Sequence, residues 1–136
     1  MTERADHARY SAGAGFPRTG PARTVTFFPP ARLRTRTVID GDRVLVTVFG
    51  DLDLDTEQAL RRTLATALER GPGGVDLDLS EVGFCDCSGL NVLLSARQQA
   101  LGDGKAIVLC AASDAVARVL ELSRTLPLFA PGAPED

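Results

Sequence analysis

Three short aliphatic and β-branched runs, at residues 44–49, 75–79 and 105–110, are separated by two stretches in which apolar residues recur at helical spacing. Strands of this length joined through helices pair in parallel, because only a long crossover can bring the chain back to the same end of a sheet. Right-handed crossovers then put the helices on a common face. A further strand at residues 32–37 alternates Leu33, Thr35 and Thr37 with three Arg. It joins the first run through the turn Asp40-Gly41-Asp42. The expected order is β-β-α-β-α-β-α. The fold class is α/β, with a mixed sheet of four to five strands and the helices packed mainly on one face.

Each helix carries its own start and stop signals. Asp55 is the expected N-cap of the first, with Gln58 as capping-box partner, and Leu60, Leu64, Ala67 and Leu68 form its inner face. Gly71-Pro72-Gly73-Gly74 ends it. The run at 75–79 is expected to stop at a Ser80-Glu81 turn, after which Val82 and Phe84 insert into the core. The second helix begins around Cys87 or Ser88, with Leu90, Leu93, Leu94, Arg97 and Leu101 inward. Ser113 caps a third helix, with Val116, Val119 and Leu120 inward. Residues 1–31 hold Gly- and Pro-rich stretches without periodicity and are expected to form a flexible basic N-terminal arm, in which Val25, Phe27 and Phe28 dock locally. The folded domain is expected at 32–130 and a C-terminal tail at 131–136.

Charge and cysteine content narrow the function. Residues 1–36 hold seven Arg against Glu3 and Asp6, whereas residues 37–136 hold eight Lys or Arg against sixteen acids. An acidic domain disfavours nucleic acid and suits a partner with a basic face. No apolar run nears the length of a membrane span, and no export signal is visible, so a cytoplasmic location is expected. The one His, His7, lies in the arm, which leaves no His in the domain for a Ser or Cys nucleophile. Cys85, Cys87 and Cys110 lack the spacing of a zinc site, and Asp51, Asp53 and Asp55 lack the Gly and distant Glu of a calcium loop. No cofactor, metal or catalytic residue is expected.

The least ordinary stretch is the turn from Phe84 to Leu90. It delivers the chain into a helix N-terminus, where unpaired N–H groups and the helix dipole favour an anion. Asp86 is placed to cap the helix, and Gly89 permits close approach of another backbone. The residues Val75-Asp76-Leu77-Asp78-Leu79-Ser80-Glu81-Val82-Gly83-Phe84-Cys85-Asp86-Cys87-Ser88-Gly89-Leu90 resemble the signature of STAS domains, of the anti-sigma factor antagonist (SpoIIAA) type. Gly50-Asp51-Leu52-Asp53 resembles that family's Gly-Glu-Leu-Asp segment, and Lys105 to Cys110 followed by Ser113-Asp114-Ala115-Val116 resembles its next strand and helix. The similarity covers about residues 33 to 130.

The resemblance implies a STAS fold and a binding role, not an enzyme. Antagonists of this family bind an anti-sigma factor with a GHKL-type serine kinase domain and thereby free a sigma factor for transcription. Phosphorylation of the antagonist ends the binding, and a PP2C-type phosphatase restores it. Carried onto this chain, the partner-binding residues are Asp53, Asp86, Cys87, Ser88, Gly89, Leu90 and Asn91. A weak homodimer is compatible with this reading. The chain departs from the family at the acceptor, where Asp-Ser-Ser-Gly becomes Asp86-Cys87-Ser88-Gly89. Three outcomes are open: Cys87 makes the antagonist insensitive to the kinase, Ser88 serves as acceptor from about 100° further round the helix, or the domain has another role, such as an accessory subunit of a membrane transporter. Cys87 as a reactive thiol, with Cys85 as resolving partner, is a further candidate, opposed by the adjacent Asp86. The family's final helix after the Leu-Phe segment is not expected here, which would leave part of one sheet or helix face uncovered.

Overall fold

The hairpin at the start of the domain closes on two residues, Gly41 and Asp42, with Asp40 paired to Arg43. Gly41 has φ +65°, which the first position of a type II′ hairpin turn requires. This computed structural model describes residues 23–27 and 33–131. The sheet has five strands in the order β1 (Arg23–Phe27), β2 (Leu33–Asp40), β3 (Arg43–Leu52), β4 (Gly74–Cys85) and β5 (Ala106–Ala112). The first two pairings are antiparallel and the last two parallel. Helices α1 (Glu57–Arg70) and α2 (Cys87–Gly102) are the two crossovers, and α3 (Asp114–Leu122) follows β5.

Strand β1 corrects the expected domain boundary, because residues 23–27 belong to the sheet and not to an arm. The β-branched Thr24-Val25-Thr26 run pairs with β2, with Arg23 opposite Val38 and Phe27 opposite Arg34. The remainder of the expected arm (1–22 and 28–31), Arg32, and residues 132–136 of the tail lie outside the described residues.

One face of the sheet carries the core. Val44 and Val46 stand opposite Val75 and Leu77, and all four are fully buried together with Val48 and Leu79. The opposite row, with Leu45, Thr47, Phe49, Asp76 and Asp78, is half-exposed. There the Arg34 guanidinium lies 4.5 Å from the Phe49 ring centroid and that of Arg36 5.4 Å, while Arg43 pairs with Asp76 at 2.9 Å. Helix α1 buries the four residues expected of it, with Ala59 and Thr63 beside them. Helix α2 buries Gly89, Val92, Leu93, Ala96, Arg97 and Ala100. Its inner stripe is therefore turned from the expected one: Leu90, Leu94 and Leu101 are half-buried. The small side chains Ala96 and Ala100 allow α2 to lie close, and the larger leucines flank that contact. Arg97 is buried and donates from Nε to the Leu128 carbonyl at 3.1 Å. This anchors the closing 3₁₀ turn Leu126–Phe129, whose Phe129 enters the core.

Strand β4 runs on where a turn at Ser80-Glu81 was expected. An extra residue is accommodated between the pairs Thr47–Asp78 and Phe49–Glu81, and another between Gly50–Val82 and Asp51–Phe84. These are β-bulges, each of which changes which way the following side chain points. The Asp78 carboxylate steadies the first, accepting from Ser80 N at 3.0 Å and Ser80 Oγ at 2.6 Å. Val82 is buried as expected, but after the second bulge Phe84 is 49% exposed, which corrects its expected place in the core.

Candidate functional site

The carboxyl ends of β3 and β4 lie side by side, with Leu52 paired to Cys85. The chain turns at Asp86, whose backbone is extended (φ −121°, ψ −166°), and enters α2 at Cys87. Asp86 N donates to the Leu52 carbonyl at 3.1 Å, which ties the turn to the end of β3. The Asp86 carboxylate accepts from Ser88 N at 2.8 Å, and its carbonyl accepts from Leu90 N at 3.1 Å. A capping Asp satisfies an otherwise orphaned donor and places its charge at the positive end of the helix dipole.

Gly89 explains why the tip sits where it does. A Cβ there would stand 2.7 Å from the Leu52 Cβ and 3.2 Å from both the Leu52 carbonyl oxygen and the Cys85 Sγ. The first turn of α2 is thus pressed onto the end of β3, and only a residue without a side chain permits this spacing. The same contact brings the segment after Leu52 alongside the tip.

That segment is a 3₁₀ turn, Leu54–Thr56, capped by Asp53. Thr56 N donates to Asp53 Oδ1 at 3.1 Å, Asp53 N donates to Thr56 Oγ1 at 3.0 Å, and Thr56 Oγ1 donates to the Asp51 carbonyl at 2.7 Å. The capping box is therefore Asp53–Thr56, two residues earlier than the expected Asp55–Gln58. Fully buried Thr56 was missed by sequence reasoning. Its signal was present as a hydroxyl three residues after an Asp.

The expected residues do come together. Asp53 and Asp86 are linked through Leu52, and the five residues Cys87 to Asn91 form the first turn and its continuation. Cys87 and Asn91, one turn apart, are exposed; Asp53, Asp86, Ser88 and Leu90 are half-buried; Gly89 is buried. Cys85 lies underneath, buried, with Sγ donating to the Asp86 carbonyl at 3.7 Å. Burial first, then Asp86 and Cys87, push its pKa up to about 11. A thiol held protonated in this way is a poor nucleophile, so Cys85 is not equipped to resolve an oxidised Cys87. Cys110, on β5, is raised to about 12 by burial and by Asp78 and Asp76, and its Sγ donates to the Leu77 carbonyl at 3.1 Å. All three cysteines are free. Among the described residues no three His, Cys, Asp or Glu side chains group as a metal site, and no helix is long and apolar enough to cross a membrane.

Residues 35–125 match a protein-family profile described as "Mlab, STAS domain". The chain belongs to the STAS domain family. Solved structures with the same fold include an anti-sigma factor antagonist from Mycobacterium paratuberculosis, 24% identical over 78% of this chain and 92% of that one, with a TM-score of 0.62. The anti-sigma factor antagonist SpoIIAA in its unphosphorylated form is 19% identical over 79% and 84%, with a TM-score of 0.57. The Bacillus cell fate determinant SpoIIAA in the phosphorylated form is 18% identical over 79% and 87%, with a TM-score of 0.52. In this STAS domain the Asp86 cap and the α2 tip stand at the carboxyl end of two parallel strands, where α/β sheets commonly place their ligands.

Proposed function

We propose that this STAS domain is an anti-sigma factor antagonist. In this reading it binds an anti-sigma factor with a serine kinase domain through the tip of α2 and the Asp53 turn, and so regulates sigma-factor-dependent transcription. It acts by binding and catalyses nothing. The observation that carries the reading is the exposed thiol of Cys87 at the first position of α2, directly after the Asp86 cap. By the resemblance of Asp86-Cys87-Ser88-Gly89 to the antagonists' Asp-Ser-Ser-Gly, it corresponds to the residue that carries their acceptor hydroxyl. A phosphate added there would bring about −1.5 to −2 charges to a docking surface beside Asp86, enough to spoil a fit built for one carboxylate. A thiol is no substrate for a serine kinase, so Cys87 keeps the tip unmodified and the antagonist permanently able to bind. Ser88 is half-buried where Cys87 is exposed, which makes its hydroxyl the weaker phosphate acceptor.

A pull-down from the native cell, read by mass spectrometry, tests the partner. Recovery of a GHKL-type serine kinase, lost when Asp86 is changed to Arg, supports the reading. Recovery of transporter subunits alone would assign the domain instead to an accessory role in a membrane complex.

A further inference from the structure

The five-stranded sheet has two edges, and they differ. At one edge, β5 carries an extra residue, Cys110, opposite the step from Leu77 to Asp78, and the closing 3₁₀ turn packs beside the strand. A bulge and a covering segment are two of the devices that keep an edge strand from pairing with another chain. At the other edge, β1 pairs with β2 in unbroken register. Among the described residues no strand lies on its outer side. Its residues, Arg23-Thr24-Val25-Thr26-Phe27, include three β-branched side chains, one charge and no Pro or Gly. An edge of that composition is a template for a further strand.

The strand is also its own complement when reversed. In an antiparallel pair of two copies centred on Val25, the two Val25 residues face each other. Thr24 then faces the second copy's Thr26, and Arg23 faces its Phe27. The polar pairs have counterparts inside the sheet. Arg34 stands opposite Phe49 with its guanidinium 4.5 Å from the ring centroid, and Thr24 and Thr26 stand opposite Thr37 and Thr35. Cross-strand pairs of these kinds support a sheet. The single charge meets an aromatic residue and not its own like. The flanking prolines select the register. Centred on Val25, Pro21 and Pro29 lie outside the paired strand, whereas a shift of the centre by one residue sets one of them opposite Phe27 or Arg23, where it has no N–H to donate.

We infer that the outer edge of β1 is a self-association surface whose occupant is a second copy of this chain, paired β1 to β1 across a two-fold axis. Such a contact uses the same patch on both copies. It joins two sheets into one of ten strands, with the helices of both copies on one face. Strand β1 runs parallel to β3, since each is antiparallel to β2. The two-fold axis therefore sends the two α2 tips to opposite ends of the joined sheet, and the pairing covers neither. A five-residue edge buries little surface, so the dimer is weak and forms as concentration rises. The inference does not depend on which partner the tip binds.

Sedimentation equilibrium of the full chain across the micromolar range tests this. Wild type is expected to pass from one chain to two as concentration rises. Val25→Lys and Val25→Glu each set like charges face to face at the axis, and each is expected to weaken self-association about tenfold or more. An equimolar mixture of the two is expected to recover it, because opposite charges then meet at the axis. Hydrogen exchange of wild type gives a readout that needs no variant: protection of the amides of residues 23–27 is expected to rise with concentration. A wild type that stays a single chain, or self-association that both variants retain, overturns the inference. So does a mixture of folded variants that stays monomeric, and so does protection of β1 that is independent of concentration.

Discussion

Helix α2 contains two glycines that the structure sets against each other. At Gly89, an added methyl would meet Leu52 Cβ at 2.7 Å, about 1 Å inside ordinary carbon–carbon contact, with the Leu52 carbonyl and Cys85 Sγ both at 3.2 Å. None of these atoms is the far end of a flexible side chain, so the first turn of α2 must lift from β3. Such overpacking costs about 1–3 kcal/mol. The better helix propensity of Ala returns at most about 1 kcal/mol. Gly89→Ala is therefore expected to destabilise by about 1–2 kcal/mol. At Gly102, the last residue of the same helix, a methyl meets nothing within 4 Å. Gly102→Ala is expected to stabilise by about 0.5–1 kcal/mol, through helix propensity and the reduced freedom of the unfolded chain. Urea unfolding with unchanged m gives both differences directly, and for a domain near 100 residues each kcal/mol moves Tm by about 4–8 °C. Equal stabilisation by both substitutions would show that the tip is not pressed onto Leu52, and the account of how it is positioned would fail.

Further expectations follow from single contacts. Thr35 is buried with an Oγ1 that finds no partner, so Thr35→Val is expected to raise stability by about 1 kcal/mol in the same titration; a loss of that size would mean the hydroxyl is satisfied. Asp86→Ala removes the cap on Ser88 N and is expected to cost about 1 kcal/mol at neutral pH, with Asp86→Asn recovering most of it. The thiols of Cys85 and Cys110 hold their protons in the folded state up to about 11 and 12. Their folded pKa values lie above the unfolded value near 9, so their contribution is complete below pH 9 and is lost as pH rises from there towards 11–12. Stability measured from pH 8 to 11 is expected to fall, and to fall less in Cys110→Ala; identical slopes would discount the burial of that thiol. Iodoacetamide on the native protein at pH 8 is expected to label Cys87 and to reach Cys85 only after unfolding, and prompt labelling of Cys85 would contradict the packing under the tip.

The parallel core was legible because the strands at 44–49, 75–79 and 105–110 and the helices between them carry periodicities that local sequence displays. The Asp86 cap and the close approach at Gly89 were legible for the same reason: both are consequences of residue type at a helix start. What escaped depends on partners far along the chain. Arg23–Phe27 is a strand because β2 offers it an edge, and nothing within five residues beside a Pro-rich segment announces that. The β4 bulges are properties of two strands at once, so Phe84 looked like one more core aromatic until its register with Asp51 was known. Between two overlapping capping boxes, Asp53–Thr56 prevails because the Thr56 hydroxyl also reaches the Asp51 carbonyl, a contact the spacing of Asp55 and Gln58 cannot match.

The identity of one atom, sulfur in place of oxygen at position 87, carries the functional account. Incubation of the cognate anti-sigma kinase and labelled ATP with wild type, Cys87→Ser and Ser88→Ala measures its effect directly. Strong labelling of Cys87→Ser, with wild type and Ser88→Ala left unlabelled, is the predicted result. Labelling of wild type that disappears in Ser88→Ala would contradict it and move the switch to the neighbouring serine.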